Sequence, residues 1–135
     1  MKFLTLLIAA ILMSACASSS SDEDRVRAVI DDVEAAAESR DASDVLEHVA
    51  DSYADARGMD KTQLRDFLRG YFLVHPRLEL IVTVESLEFP VDGLAQAVIT
   101  VATVDFTDPD LERLKVEFRR AGDSWQVVRA DRLAR

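Results

Sequence analysis

The chain has 135 residues, with 25 Asp and Glu against 16 Lys and Arg, and a formal net charge of −9. That balance argues against nucleic acid as a partner, because phosphate has to be neutralised by Lys and Arg. The length suits one domain around one core, and a lone cysteine, Cys16, excludes an internal disulfide.

The first element is a leader. Lys2 and the amino terminus precede "FLTLLIAAILMSA", an uncharged run from Phe3 to Ala15. As a helix it covers roughly 20 Å, short of the ~30 Å hydrocarbon core. It therefore reads as the h-region of a signal peptide (residues 1–15) rather than a membrane span. Ser14 and Ala15 directly before Cys16, with Met13 where leucine is usual, resemble the lipobox of bacterial lipoproteins. That resemblance implies that Cys16 becomes the new N-terminus and is lipidated on its sulfur and its amine. Two or more acyl chains give stable attachment to a membrane where one does not. The plain alternative is an ordinary cleavage signal, since Ala15-Cys16-Ala17 also reads as A-x-A.

By resemblance to the lipoprotein sorting rule of enteric bacteria, Ala17 in place of aspartate implies the outer membrane, on its periplasmic side. Residues 16–21 then form the lipidated cysteine and a serine-rich tether. Five extended residues span at most roughly 17 Å, so a domain at 22–135 is expected to stay close to the bilayer of the cell envelope.

The tether leads into helices. Ser21 followed by Asp22, Glu23 and Asp24 is a good helix start, and Val26, Val29, Ile30, Val33 and Ala37 continue the helix to about Arg40. A second start at Asp41 opens a helix with Val45, Leu46, Val49, Ala50 and Tyr53 on one face, broken at Gly58. Asp60 with Gln63 resembles a capping box. Leu64, Phe67, Leu68, Tyr71 and Phe72 form the stripe of a third helix, which Pro76 ends.

The remainder alternates as strands. "LELIVTV" puts Leu78, Leu80, Val82 and Val84 on one face. Leu87 and Phe89 have the opposite parity, which predicts a bulge near Glu85-Ser86. Asp92-Gly93 signals a hairpin, and "AQAVITVATVDF", "LERLKVEFRR" and "SWQVVRA" supply three more strands. Helices first and strands afterwards predict an α+β fold, three helices packed on a curved antiparallel four-stranded sheet.

Three helices, a four-strand meander and the closing "GDSWQVVRAD" resemble the nuclear-transport-factor-2-like superfamily over about residues 24–131. The resemblance implies a cone, its sheet wrapped around a cavity lidded by helices. That superfamily includes ketosteroid isomerase and scytalone dehydratase as well as many non-enzymes. In "AQAVITVATV" both strand faces are apolar, Val98, Ala102 and Val104 on one and Ala97, Ile99 and Val101 on the other. A strand buried on both sides needs two covers, so a homodimer through the outer sheet face is expected, with tight curling of the sheet as the competing explanation.

Several side chains are candidates for chemistry. Tyr71 and His75, four residues apart within one apolar stripe, can bring their rings together, and such a pair suits proton transfer. The plain alternative makes Tyr71 a core aromatic and has His75 bind free carbonyls at the helix end. Asp105, at the end of a long strand, would complete an acid–base set, or simply be a solvated residue of the acidic turn "DFTDPDLE". Asp105, Asp108, Asp110 and Glu112 lack the glycine and spacing of a calcium loop.

Asp44, Glu47, Asp51 and Asp55 form an acidic stripe on the second helix, either a dock for a basic partner or a solvated face. His48 beside them is expected to be exposed. Trp125 either fills the core or stacks on a ligand. No Gly-rich phosphate loop, nucleophile elbow or zinc spacing is present, so no cofactor and no metal are expected. The leading expectation is a lipid-anchored envelope module without catalysis, binding a protein partner or a small apolar ligand. The alternative is an isomerase or dehydratase using Tyr71, His75 and Asp105.

Overall fold

The computed structural model describes residues 21–104 and 109–134. Helix α1 spans Asp22–Glu38, α2 Ala42–Glu47 and α3 Lys61–Val74; strands follow at β1 Leu80–Val91, β2 Leu94–Thr103, β3 Asp110–Ala121 and β4 Ser124–Arg132. The strands form one antiparallel meander in the order β1-β2-β3-β4. The expected α+β architecture of three helices on a curved four-stranded sheet is present.

Local chemistry explains most boundaries. Ser21 Oγ accepts from the Asp24 N–H at 3.1 Å and caps α1. The helix ends in a Schellman turn: Arg40 adopts φ 55°, the Asp41 N–H reaches the Ala36 carbonyl and the Arg40 N–H reaches that of Ala37. Both halves of the α3 capping box form, Gln63 N–H to Asp60 Oδ1 at 2.8 Å and Asp60 N–H to Gln63 Oε1 at 2.9 Å.

The second helix is shorter than its spacing predicts, ending at Glu47 instead of Gly58. Beyond it the chain leaves the helix to cover the free edge of β4. The Val127 N–H donates to the His48 carbonyl (2.8 Å), the Ala50 N–H to that of Val127 (2.9 Å), and the Ala54 N–H to that of Val128 (3.2 Å). An open strand edge leaves backbone groups without partners, and pairing them outweighs continuing the helix. Val49 and Tyr53 are still buried, but through this edging segment. His48 is half-buried as the C-cap of α2, rather than exposed.

Bulges bend the sheet. Glu85 is the extra residue between Val84 and Ser86, where the parity change in β1 predicts a bulge; β1 shifts register again between Glu88 and Val91, and β4 is irregular opposite Glu117/Phe118. The β1–β2 and β3–β4 hairpins turn on Gly93 (φ 77°) and Gly122 (φ 62°), and this end of the sheet is closed. There Arg120 binds Asp22 of α1 at 2.7 Å and Asp92 at 3.0 Å, with its guanidinium 5.1 Å from the centre of the Trp125 ring. Val26, Ala95, Ala97, Phe118 and Trp125 form the densest part of the core.

Candidate functional site

The opposite end is open. Between α3, the C-terminal part of α1, the segment 53–59 and the strand ends lies a cavity of about 590 Å³. Leu64, Phe67, Leu68 and Tyr71 form its helical wall, and Leu80, Val101, Leu114 and Ala130 contribute one residue from each strand. Polarity changes along the inward face. The register sets Thr103 beside Asp110 and Val101 beside Glu112 near the lip, with Ile99 beside Leu114 and Ala97 beside Val116 deeper in. A polar lip over an apolar body is the usual constitution of a small-molecule pocket, and the volume falls within the usual range of ~300–1,000 Å³.

The polar groups at the lip are largely engaged with one another. Asp55, buried in the segment that follows the edging stretch, receives the Tyr53 hydroxyl on Oδ2 at 2.9 Å. Its Oδ1 accepts the N–H groups of Arg57 (2.9 Å) and Met59 (3.1 Å), which folds the turn 55–59 around Gly58. Burial, then the neighbouring Asp55, pushes the Tyr53 phenol well above its ordinary pKa. Asp131 accepts the Ala56 N–H at 2.7 Å and pairs with Arg129. Burial works to raise its pKa, but these two interactions outweigh burial and hold the carboxyl below its ordinary value. Glu112 pairs with Arg132 across the strand ends.

The sequence-derived candidates fall in different places. Tyr71 and His75 do meet: their rings stack with centroids 4.0 Å apart and planes inclined by 24°. Tyr71 lines the cavity, whereas His75 turns back on the helix end. Its Nδ1 lies 2.9 Å from the Tyr71 carbonyl and its backbone N–H donates to the same oxygen at 3.0 Å. Trp125 is 2% exposed at the closed end, packed edge-on against Phe89, and lines no part of the cavity. Asp105, Asp108 and Cys16 lie outside the described residues.

The acidic stripe does not survive as one helical face. Asp44 and Glu47 are exposed on α2, Asp51 lies beyond it and pairs with Lys61 at 3.1 Å, and Asp55 points inward. Helical spacing would have kept Asp55 on the solvent side; ending α2 at Glu47 turns it toward the cavity. Sequence spacing singles out Asp55 as part of the outward stripe, whereas it faces inward; the cavity-lining residues that spacing does not single out as site residues are Tyr53, Arg57 and Asp131. The one signal for the turn that carries Asp55 and Arg57 is "DARGMD", an Asp with a Gly three residues on, which reads as a side-chain-stabilised turn.

Solved structures with the same architecture decide the fold. A domain of unknown function with a cystatin-like fold from Nostoc punctiforme superposes with a TM-score of 0.73 at 13% identity, over 87% of this chain and 80% of that one. A nuclear-transport-factor-2-like protein of unknown function from Shewanella oneidensis gives 0.68 at 13% identity, over 83% and 98%. The fold is the nuclear-transport-factor-2-like cone. Another protein of this fold and of unknown function, from Pseudomonas putida, gives 0.65 at 19% identity over 87% and 90%. No family model and no curated protein sequence matches the chain.

Proposed function

We propose that the chain is a lipid-anchored module of the cell envelope that binds, without catalysis, a small apolar ligand or an apolar part of a partner in the cone. The observation that carries this reading is the open apolar cavity whose lip acids are engaged by hydrogen bonds within the protein. An acid–base set through Tyr71, His75 and Asp105 has less support, because His75 lies at the end of α3 with Nδ1 on the Tyr71 carbonyl and lines no part of the cavity.

The anchor is Cys16, on the outer membrane and facing the periplasm. The described chain begins at the closed end, where Asp22 meets Arg120. Seventeen residues of α1 put roughly 25 Å between that end and the helix's far terminus beside the mouth. The mouth then opens away from the bilayer, and ligand enters from the aqueous side.

The outer sheet face supports pairing of two copies. Ile81, Ala102 and Leu111 sit side by side across β1, β2 and β3, with Ile81 and Leu111 more than half exposed. The cluster of Glu85, Thr100 and Arg113 borders them. Large exposed apolar side chains in one row are the usual mark of an interface.

Two experiments test the reading. Cys16→Ser is expected to move the protein from the membrane to the soluble fraction; continued membrane fractionation overturns the anchor. Decan-1-ol is expected to bind the wild-type chain and to be excluded by Leu68→Trp, which fills the cavity. Equal binding to both removes the cone as the site.

A further inference from the structure

The charges around the mouth divide unequally into those with partners and those without. Glu112 has Arg132, Asp131 has Arg129 and the Ala56 N–H, and Asp55 has the Tyr53 hydroxyl and two backbone N–H groups. Asp110, the remaining acid of the lining, is also engaged. Among the described residues that line the cavity, Arg57 is the charged side chain that makes no hydrogen bond, ion pair or ring contact. Its backbone is fixed: the N–H donates to Asp55 at 2.9 Å, and the Ala56 N–H next to it is held by Asp131. The turn thus fixes the backbone of Arg57, an exposed residue of the cavity lining whose side chain has no partner among the described residues.

We infer that the ligand of the cone is an amphipathic carboxylate, its apolar body against Leu64, Leu68, Leu80 and Leu114 and its head on Arg57. The inference rests on the cone being a binding cavity and adds the chemical class of what it holds. A guanidinium presents paired N–H donors that match a carboxylate at two points, while the apolar wall takes the tail with no polar group to satisfy. Among the described residues a cationic head finds no lip acid without an existing partner, and a neutral head leaves Arg57 unused.

All the described elements and described core residues lie within 21–134, so a fragment starting at Ser21 contains all of them; a cooperative melt verifies that it folds before use. Binding of sodium decanoate and of decan-1-ol to that fragment is then measured by calorimetry at pH 7.5, for the wild type, Arg57→Gln and Arg57→Lys. Decanoate is expected to bind about tenfold or more tightly than the alcohol. Arg57→Gln is expected to bring the two ligands level, with Arg57→Lys between. Any of these side chains preserves the backbone N–H that Asp55 holds, so the turn stays formed. Equal affinities for the two ligands, unchanged by Arg57→Gln, overturn the head-group assignment and leave the cavity standing. Binding of neither ligand overturns the cavity itself, and the inference falls with it.

Discussion

At the closed end of the cone α1 lies directly on the sheet, while at the open end α3 leans chiefly on α2 and stands off from the strands. The strand residues show the difference. Ala95 and Ala97 of β2 are fully buried in the same core cluster as Val26 of α1, a helix that meets the sheet chiefly through β1 and β4. Farther along the same inward face Val101 and Leu114 oppose Leu64 and Leu68, and these larger side chains stay only half-buried around a space. Burial along one face thus differs between the two ends: complete at Ala95 and Ala97, partial around the cavity.

The sharpest break of that contrast is a pair of truncations. Phe118→Ala, at 1% exposure near the closed end, is expected to cost about 3–5 kcal/mol in urea unfolding. Leu114→Ala, already bordering open space, is expected to cost less than half as much. Equal losses would contradict the division into a packed end and an open one.

A mid-sized effect tests the turn at the lip. Tyr53→Phe leaves a buried Asp55 oxygen without its donor and is expected to destabilise by roughly 1–3 kcal/mol. It also removes the phenol that stays protonated at a pH where a free tyrosine ionises, so ultraviolet titration of wild type and variant assigns that resistant group to Tyr53.

The smallest effect is a pH dependence. The Asp131 carboxyl has a folded pKa below that of the unfolded chain. Its contribution is therefore present above about pH 4 and is lost as pH falls through the folded value, where the unfolded state takes up the proton more readily. Asp131→Asn is expected to flatten the fall in melting temperature over that range. An unchanged acid limb would separate Asp131 from the stability of the lip.

Much of this architecture was legible in residue order because it is local. Caps at Ser21, Asp41 and Asp60, the Asp92-Gly93 turn and the parity change at Glu85 each depend on neighbours a few positions away. Two features were not legible. Val49, Ala50 and Tyr53 keep helical spacing, yet the edge of β4, more than seventy residues later, draws their backbone away from the helix. That long-range pairing turns Asp55 inward and brings Arg57 to the cavity, so the lip could not be read from spacing. The Tyr71 stripe, being helical, could.

The most direct test of the account is a methyl-NMR map of the fragment starting at Ser21 titrated with decan-1-ol. Shifts confined to Leu64, Leu68, Leu80, Val101 and Leu114, with Val26, Ala95 and Ala97 unmoved, are the predicted result. Shifts centred on the closed end, or none at saturating ligand, would contradict a cone that binds at its open end.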